Sequence, residues 1–536
     1  TVLNPLTNEV LLFLSPLLNS IIFTVAVEFL RLLFCSKAFI VTSSRIFVES
    51  AVSSCPYMAE VKKNSKIIAA IFFIETGNGQ RKVRTFSLYL QAMIAKNKLG
   101  LFSLTMIVIG LVIGTGIFRT SKDAAQAAAT PTIFFAAWVV AGLVAICGAL
   151  TYAEIGSRYP VTGGYYKIFS YAYHPSLAFG INSIILISNA ASLSGVALIG
   201  SEYISPLLFE AASVEKWKPF VAMAAIILFY GVNLLGLRMS SQTQNVLMII
   251  KIAMLLVIIA ALFFPELHSI APVVVDERKT SAAALLLSFG VALKATSFTY
   301  GGYQQTINFG EEVVNPQKNI PKGIFTGIII IIGLYLLVSY AYVQVIGFNE
   351  LKETSGIASV VAEKMFGTAG KYASSILLFL AVLAYVNVLL LSNPRVMYAM
   401  STDGILPKIF QKKDKKRDVL TVSLTVFAAI CVVVLFFADK FEKILSFTIF
   451  LDSIGMATSA ATIFILRKKT AHLNGTGIYS MKLYPLLPIL FIIAYIFVGT
   501  MIAINEPQLA LTSISVLAGF IALYFIIQRI KRSKAS

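Results

Sequence analysis

Two long apolar stretches of this chain are interrupted by glycine, in Ile113-Gly114-Thr115-Gly116-Ile117-Phe118 and in Phe298-Thr299-Tyr300-Gly301-Gly302-Tyr303. Each stretch is long enough to cross a bilayer as a helix, which takes about 20 residues. A break in such a helix frees backbone N–H and C=O groups that hydrocarbon cannot hydrogen-bond. It survives only where it faces protein or a wet cavity. Two interrupted helices at corresponding places in two halves of one chain point to a transporter binding site near the membrane midplane.

Composition agrees with membrane burial. Of 536 residues, 58% are hydrophobic and 13% charged, against about 45–50% and about 25% in soluble domains. The chain therefore reads as an all-α integral membrane protein. Its formal net charge of +19 does not imply nucleic acid, because the basic residues fall in short loops between apolar spans, where they report topology. Cys35, Cys55, Cys147 and Cys431, and His174, His268 and His472, have no metal-type spacing, so no metal or cofactor is expected. No zincin motif, paired metal carboxylates, Ser/Lys dyad or phosphate-cradling loop occurs, which argues against an enzyme. A repeated filter loop, the usual mark of a channel, is also missing.

Twelve spans are predicted, at 99–119 continuing to 128, 132–155, 177–206, 219–236, 243–264, 283–309, 323–347, 372–400, 419–437, 443–466, 484–504 and 509–529. Lys and Arg cluster before span one and after the even-numbered spans, including Lys408, Lys412, Lys413 and Arg417 after span eight. Acids such as Glu202, Glu210, Glu350 and Glu506 favour the opposite loops. The positive-inside rule then puts both ends of the twelve-span unit in the cytoplasm. Two domains are expected. Residues 93–536 form the twelve-helix unit, and residues 1–92 read as a gene-model extension with a start near Met93, or as an extra helix.

Several strings resemble the amino acid–polyamine–organocation superfamily, most of all its L-type and cationic amino-acid permeases. They are Gly110 through Phe118; Trp138 through Gly142, with Gly148-Ala149-Leu150-Thr151-Tyr152-Ala153-Glu154-Ile155-Gly156, Tyr159-Pro160 and Gly163-Gly164-Tyr165-Tyr166; Phe298 through Tyr303, with Glu311-Glu312 and Asn315-Pro316; and Arg395 through Met400, with Asp403-Gly404 and Leu406-Pro407. The likeness covers about residues 96–530. It implies a 5+5 inverted-repeat transporter fold with discontinuous spans one and six and peripheral spans eleven and twelve. It also implies a secondary active transporter that moves amino acids by alternating access, through proton-coupled symport. The alternatives are an exchanger or a non-transporting amino-acid sensor. The expected partners are an amino-acid substrate, protons and the lipid bilayer, with no nucleic acid and no required protein partner. The expected location is the cytoplasmic membrane of a bacterium.

An amino acid carries a carboxylate and an ammonium on one carbon. Freed N–H groups at a half-helix start suit the carboxylate, which selects Ile113, Gly114, Thr115 and Gly116. Freed carbonyls at the second break suit the ammonium, which selects Phe298, Thr299, Tyr300 and Gly301. Close packing of small residues is the competing account of these glycines. Gln304 and Asn387 are further candidates to line the cavity, and interhelical hydrogen bonding is their competing role. Phe298 resembles the aromatic that closes over substrate in the family. Arg158, Glu311 and Arg395, with Glu312, would form an inner gate of ion pairs.

Lys251 sits inside span five, where a lysine is a functional-site hypothesis by default. In proton-coupled relatives a lysine here replaces a sodium ion. The other account is a side chain that snorkels to the surface. Lys294 would either attract an acidic substrate or pair with a rim acid, and Asp452 would either pair with a lysine or lie on a proton path. Neutral substrates are expected, on the ground that the predicted pocket holds no acid.

Overall fold

The computed structural model describes residues 98–536 apart from 115, 211, 270–280, 355, 415–416, 437–440, 475–476 and 536. The segment 1–92 and Thr115 lie outside the described residues. The described chain is helical, with two isolated β-bridges and no strand. Fourteen helices matter here: α1 Leu101–Val112, α2 Gly116–Ala127, α3 Pro131–Arg158, α4 Gly164–Ala172, α5 Pro175–Leu208, α6 Val214–Leu234, α7 Leu237–Ala260, α8 Ala282–Thr299, α9 Pro316–Ile346, α10 Ile357–Thr402, α11 Thr421–Leu435, α12 Phe441–Lys469, α13 Leu486–Asn505 and α14 Pro507–Ala535.

Among the described residues, 11 helical stretches are long and apolar enough to cross a membrane. α1 with α2 counts as one of them, and α8 with the turn after it as another. The remaining predicted span, the ninth at 419–437, is also helical. It is α11, whose 15 residues reach only about 22 Å at 1.5 Å per residue. An all-α membrane architecture is what a bilayer permits, since each helix satisfies its own backbone.

Local chemistry sets several boundaries. Thr130 accepts the Ile133 N–H at 3.3 Å and Pro131 opens α3. His174 does the same for Ser176 ahead of Pro175 in α5, and Ser281 caps α8 through Ala284 N–H. α10 is divided at Gly367, whose φ of 65° and ψ of −154° are not helical. The predicted membrane part, from 372, lies wholly beyond that break.

Packing places the broken helices in the middle. α9 packs on α3 and α1, α8 on α3 and α2, and α10 on α5 and α7. α14 packs on α5, and much of its length is exposed apolar surface such as Leu511, Phe525 and Ile526. Behind the α8 break, Trp138, Tyr300 and Tyr335 form an aromatic cluster with centroids 5.1–5.9 Å apart.

Candidate functional site

The first break begins where α1 stops. Ile113 leaves the helix with ψ 83°, and Gly114 N–H turns back to Val112 O at 2.9 Å. The second begins after Thr299, where Gly301 N–H bonds Phe298 O at 3.1 Å and a 3₁₀ turn resumes at Tyr303–Asn308. The two breaks touch through backbone. Gly302 has φ 115°, and a Cβ there would lie 2.2 Å from Leu111 O. A Cβ on Gly116 would lie 2.6 Å from the Thr299 methyl. Close packing therefore accounts for Gly116 and Gly302. It does not account for Gly114, whose added Cβ would meet only the Tyr385 ring, at an ordinary 3.4 Å.

Three side chains brace these ends. Lys251 is fully buried, and its Nζ donates to Ile113 O at 2.5 Å. The amine points into the first break, so the snorkelling account of Lys251 falls. Gln304 Oε1 accepts Gly302 N–H at 2.8 Å, so Gln304 caps the second break. The Tyr335 hydroxyl, from α9, lies 3.4 Å from both Val112 O and Thr299 O and can donate to either.

A cavity of about 570 Å³ adjoins both breaks, within the ~300–1,000 Å³ usual for small-molecule sites. Gly114, Gly116, Phe298, Thr299, Gly301 and Gln304 all line it. Arg119 and Asp123 of α2 stand exposed at one end of it. Phe298 is 41% exposed and also lies on the wall. Ile113 and Tyr300 are off the wall. Ile113 offers its carbonyl to Lys251, and the Tyr300 ring turns to Trp138 and Tyr335.

Asn387 corrects one expectation. It is fully buried between α6, α7 and α10 and saturated there. Its Oδ1 accepts from Asn233 Nδ2 at 3.0 Å, and its Nδ2 donates to Gln244 Oε1 at 2.9 Å. It joins helices and does not line the cavity. Two residues away, at about 200° around the helix given 3.6 residues per turn, Tyr385 faces the cavity instead.

The inner ion pairs also differ from expectation. Arg395 pairs with Glu312 at 2.6 Å and stacks over Phe309 at 4.5 Å. Glu311 accepts a bond from Thr162 Oγ1 at 2.8 Å instead. Arg158 belongs to a separate buried cluster, bonded to Glu154 at 2.6 Å, with Arg467 bonded to the same carboxylate at 2.7 Å. The i, i+4 spacing of Glu154 and Arg158 on α3 was the available signal for their pairing, whereas the approach of Arg467 from α12 has no local signal. The strand-like strap around the α8 exit adds Leu99 N–H to Glu312 O at 2.6 Å and Gly163 N–H to Asn308 O at 2.9 Å. At the cavity wall, Asn189 bonds both Gln305 and Asn393, the shorter link being Asn189 Nδ2 to Asn393 Oδ1 at 2.7 Å.

Several wall residues were not anticipated. Ser188, Asn189 and Ser192 share one face of α5, and their i, i+1, i+4 polar spacing inside an apolar helix was the available signal. Ser192 Oγ and Tyr385 OH bond at 3.0 Å. Asp123 and Asp452 both lie on the wall, which overturns the premise that the pocket holds no acid. Lys294 lines the same cavity and approaches the rim acid Glu506 at 3.8 Å.

Comparison with known proteins matches residues 99–527 to the amino acid permease family. The chain is 27% identical to the serine/threonine exchanger SteT of Bacillus subtilis over 82% of this chain and 98% of that protein. It is 24% identical to the human large neutral amino acids transporter small subunit 2, over 80% of each. It is 23% identical to the mouse Asc-type amino acid transporter 1, over 80% of this chain and 81% of that protein.

Proposed function

Because the chain belongs to the amino acid permease family, we propose that it is a secondary transporter that moves amino acids across the membrane by alternating access. Protons are the coupling ion in this reading, and the fold is two five-span inverted repeats with two peripheral spans, in the cytoplasmic membrane of a bacterium. The observation that carries it is the cavity that adjoins both backbone breaks. The substrate carboxylate lies against the Gly114–Gly116 segment, at the start of α2. The substrate ammonium lies against the carbonyls at the end of α8. Phe298 closes over it, and Arg395 with Glu312 closes the inner side.

Lys251 supplies the coupling. Its bond to Ile113 O ties a titratable amine to the segment that would hold the carboxylate. Loss of that proton removes a cation from the first break, and the break can then rearrange.

Obligatory exchange is the second reading. It is favoured by the serine/threonine exchanger that aligns over 98% of its own length. In that case Lys251 is a fixed structural cation.

Uptake of a labelled amino-acid panel by the purified full chain in sodium-free proteoliposomes separates the two. Accumulation that requires an inward proton gradient supports symport. Uptake only against preloaded amino acid supports exchange. Saturable binding with no flux in either format would leave a sensor and remove the transport reading.

A further inference from the structure

Asp452 is a carboxylate in the middle of a membrane-spanning helix, and it faces the cavity with Ile449 one turn before it on α12. It makes no hydrogen bond or ion pair among the described residues. The other acids described around this core are engaged. Glu154 holds two arginines, and Glu312 holds Arg395. Lys294, which shares the cavity, is turned toward Glu506. A charged side chain at such depth costs several kcal/mol unless something pairs with it. The cavity is the side from which a partner can come. The breaks and Asp452 lie on different helices of one cavity, so a ligand held at the breaks by its α-carbon groups shares that cavity with the carboxylate.

We propose that Asp452 is the specificity-determining residue for the substrate side chain. Its carboxylate accepts a hydrogen bond from the side-chain tip. The cavity therefore favours amino acids whose side chains end in a donor, a hydroxyl or a cationic nitrogen, over aliphatic side chains of the same shape. This rests on the amino-acid reading of the two breaks. An aliphatic isostere would strip water from the carboxylate and return nothing, and sites built to bond a substrate hydroxyl reject the analogue that lacks it. Asp452 is half-buried, so residual water softens the penalty. The expected preference is about 10–100-fold.

The test is competition binding to the purified full chain, using two pairs of matched shape, threonine against valine and lysine against norleucine. The expected result is a preference of that size for the donor-bearing member of at least one pair. Asp452→Leu erases it and leaves or improves valine binding, which also shows that the variant is folded. Asp452→Asn keeps an acceptor but not the charge. It retains a threonine preference and loses a lysine preference, which identifies whether hydroxyl or cation is read, and it carries the test if Asp452→Leu does not fold. Equal binding within each pair by the wild type overturns the proposal while amino-acid binding at the breaks stands. So does a preference that survives in Asp452→Leu. If none of the four binds, and Gly114→Val changes nothing for any amino acid, the reading of the breaks fails and the proposal falls with it.

Discussion

The two helix breaks are held by different chemistry. At the first, the freed carbonyl of Ile113 receives the charged amine of a fully buried lysine. At the second, the freed N–H of Gly302 is met by a neutral side-chain amide, Gln304. A neutral amide bonds the same way at any physiological pH. A lysine amine has two states that differ by a full charge. On the proton-coupled reading proposed above, only the first break would respond to protons. The contact of Gly302 with Leu111 O means that a change in the first is felt directly by the backbone of the second.

The largest expected effect tests that contact. Gly302→Ala needs a non-glycine residue at φ 115° and a methyl where Leu111 O now sits. The strain alone is about 1–3 kcal/mol, and the clash adds to it, so loss of uptake and a markedly lowered melting temperature are expected. A Gly302→Ala protein with normal uptake would show that the breaks move independently. Next comes the contrast in charge. Lys251→Ala should abolish gradient-driven uptake while substrate binding stays within about tenfold, or about 1.4 kcal/mol. Unchanged pH-driven flux in that variant would take Lys251 out of the coupling mechanism and leave the charge at the first break a structural feature only.

Most of this architecture was readable because hydropathy and glycine placement are local signals. The predicted spans coincide with helices, and the two interruptions fall within a residue or two of the observed breaks. What was not readable depended on which face of a helix turns inward. Asn387 and Tyr385 are both plausible wall residues until the helix is rotated, and the more polar one faces its helical neighbours. Glu311 and Glu312 are adjacent in sequence, and only the turn at Gly310–Glu312 decides which of them meets Arg395. Tyr335 was invisible because an apolar helix full of isoleucine gives no hint that one hydroxyl ends beside two broken backbones. Asp452 was noticed as a charge, but its exposure to the cavity needs the α12 rotation that only the structure supplies.

The smaller effects sharpen the neutral side of the comparison. Gln304→Ala leaves the Gly302 N–H without its cap. An unsatisfied buried donor costs about 1–3 kcal/mol, and cavity water beside Gln304 should bring this to the low end. Weaker substrate affinity with an unaltered pH profile is expected in an uptake series from acid to neutral pH. A shifted profile would mean that the second break also titrates.

Tyr335→Phe should do least. Its hydroxyl is 3.4 Å from each carbonyl, near the outer limit for a hydrogen bond, so the loss should be under about 1 kcal/mol in thermal stability. Its value lies in position, because it is the one described side chain that reaches carbonyls of both breaks. If Lys251 acts on the second break through backbone contact at Gly302, Tyr335→Phe and Lys251→Ala should combine additively in substrate affinity, as independent sites do. If the signal passes through the tyrosine instead, the double variant should be no worse than Lys251→Ala alone. A double-mutant cycle on substrate affinity decides between a backbone route and a side-chain route from the charged break to the neutral one.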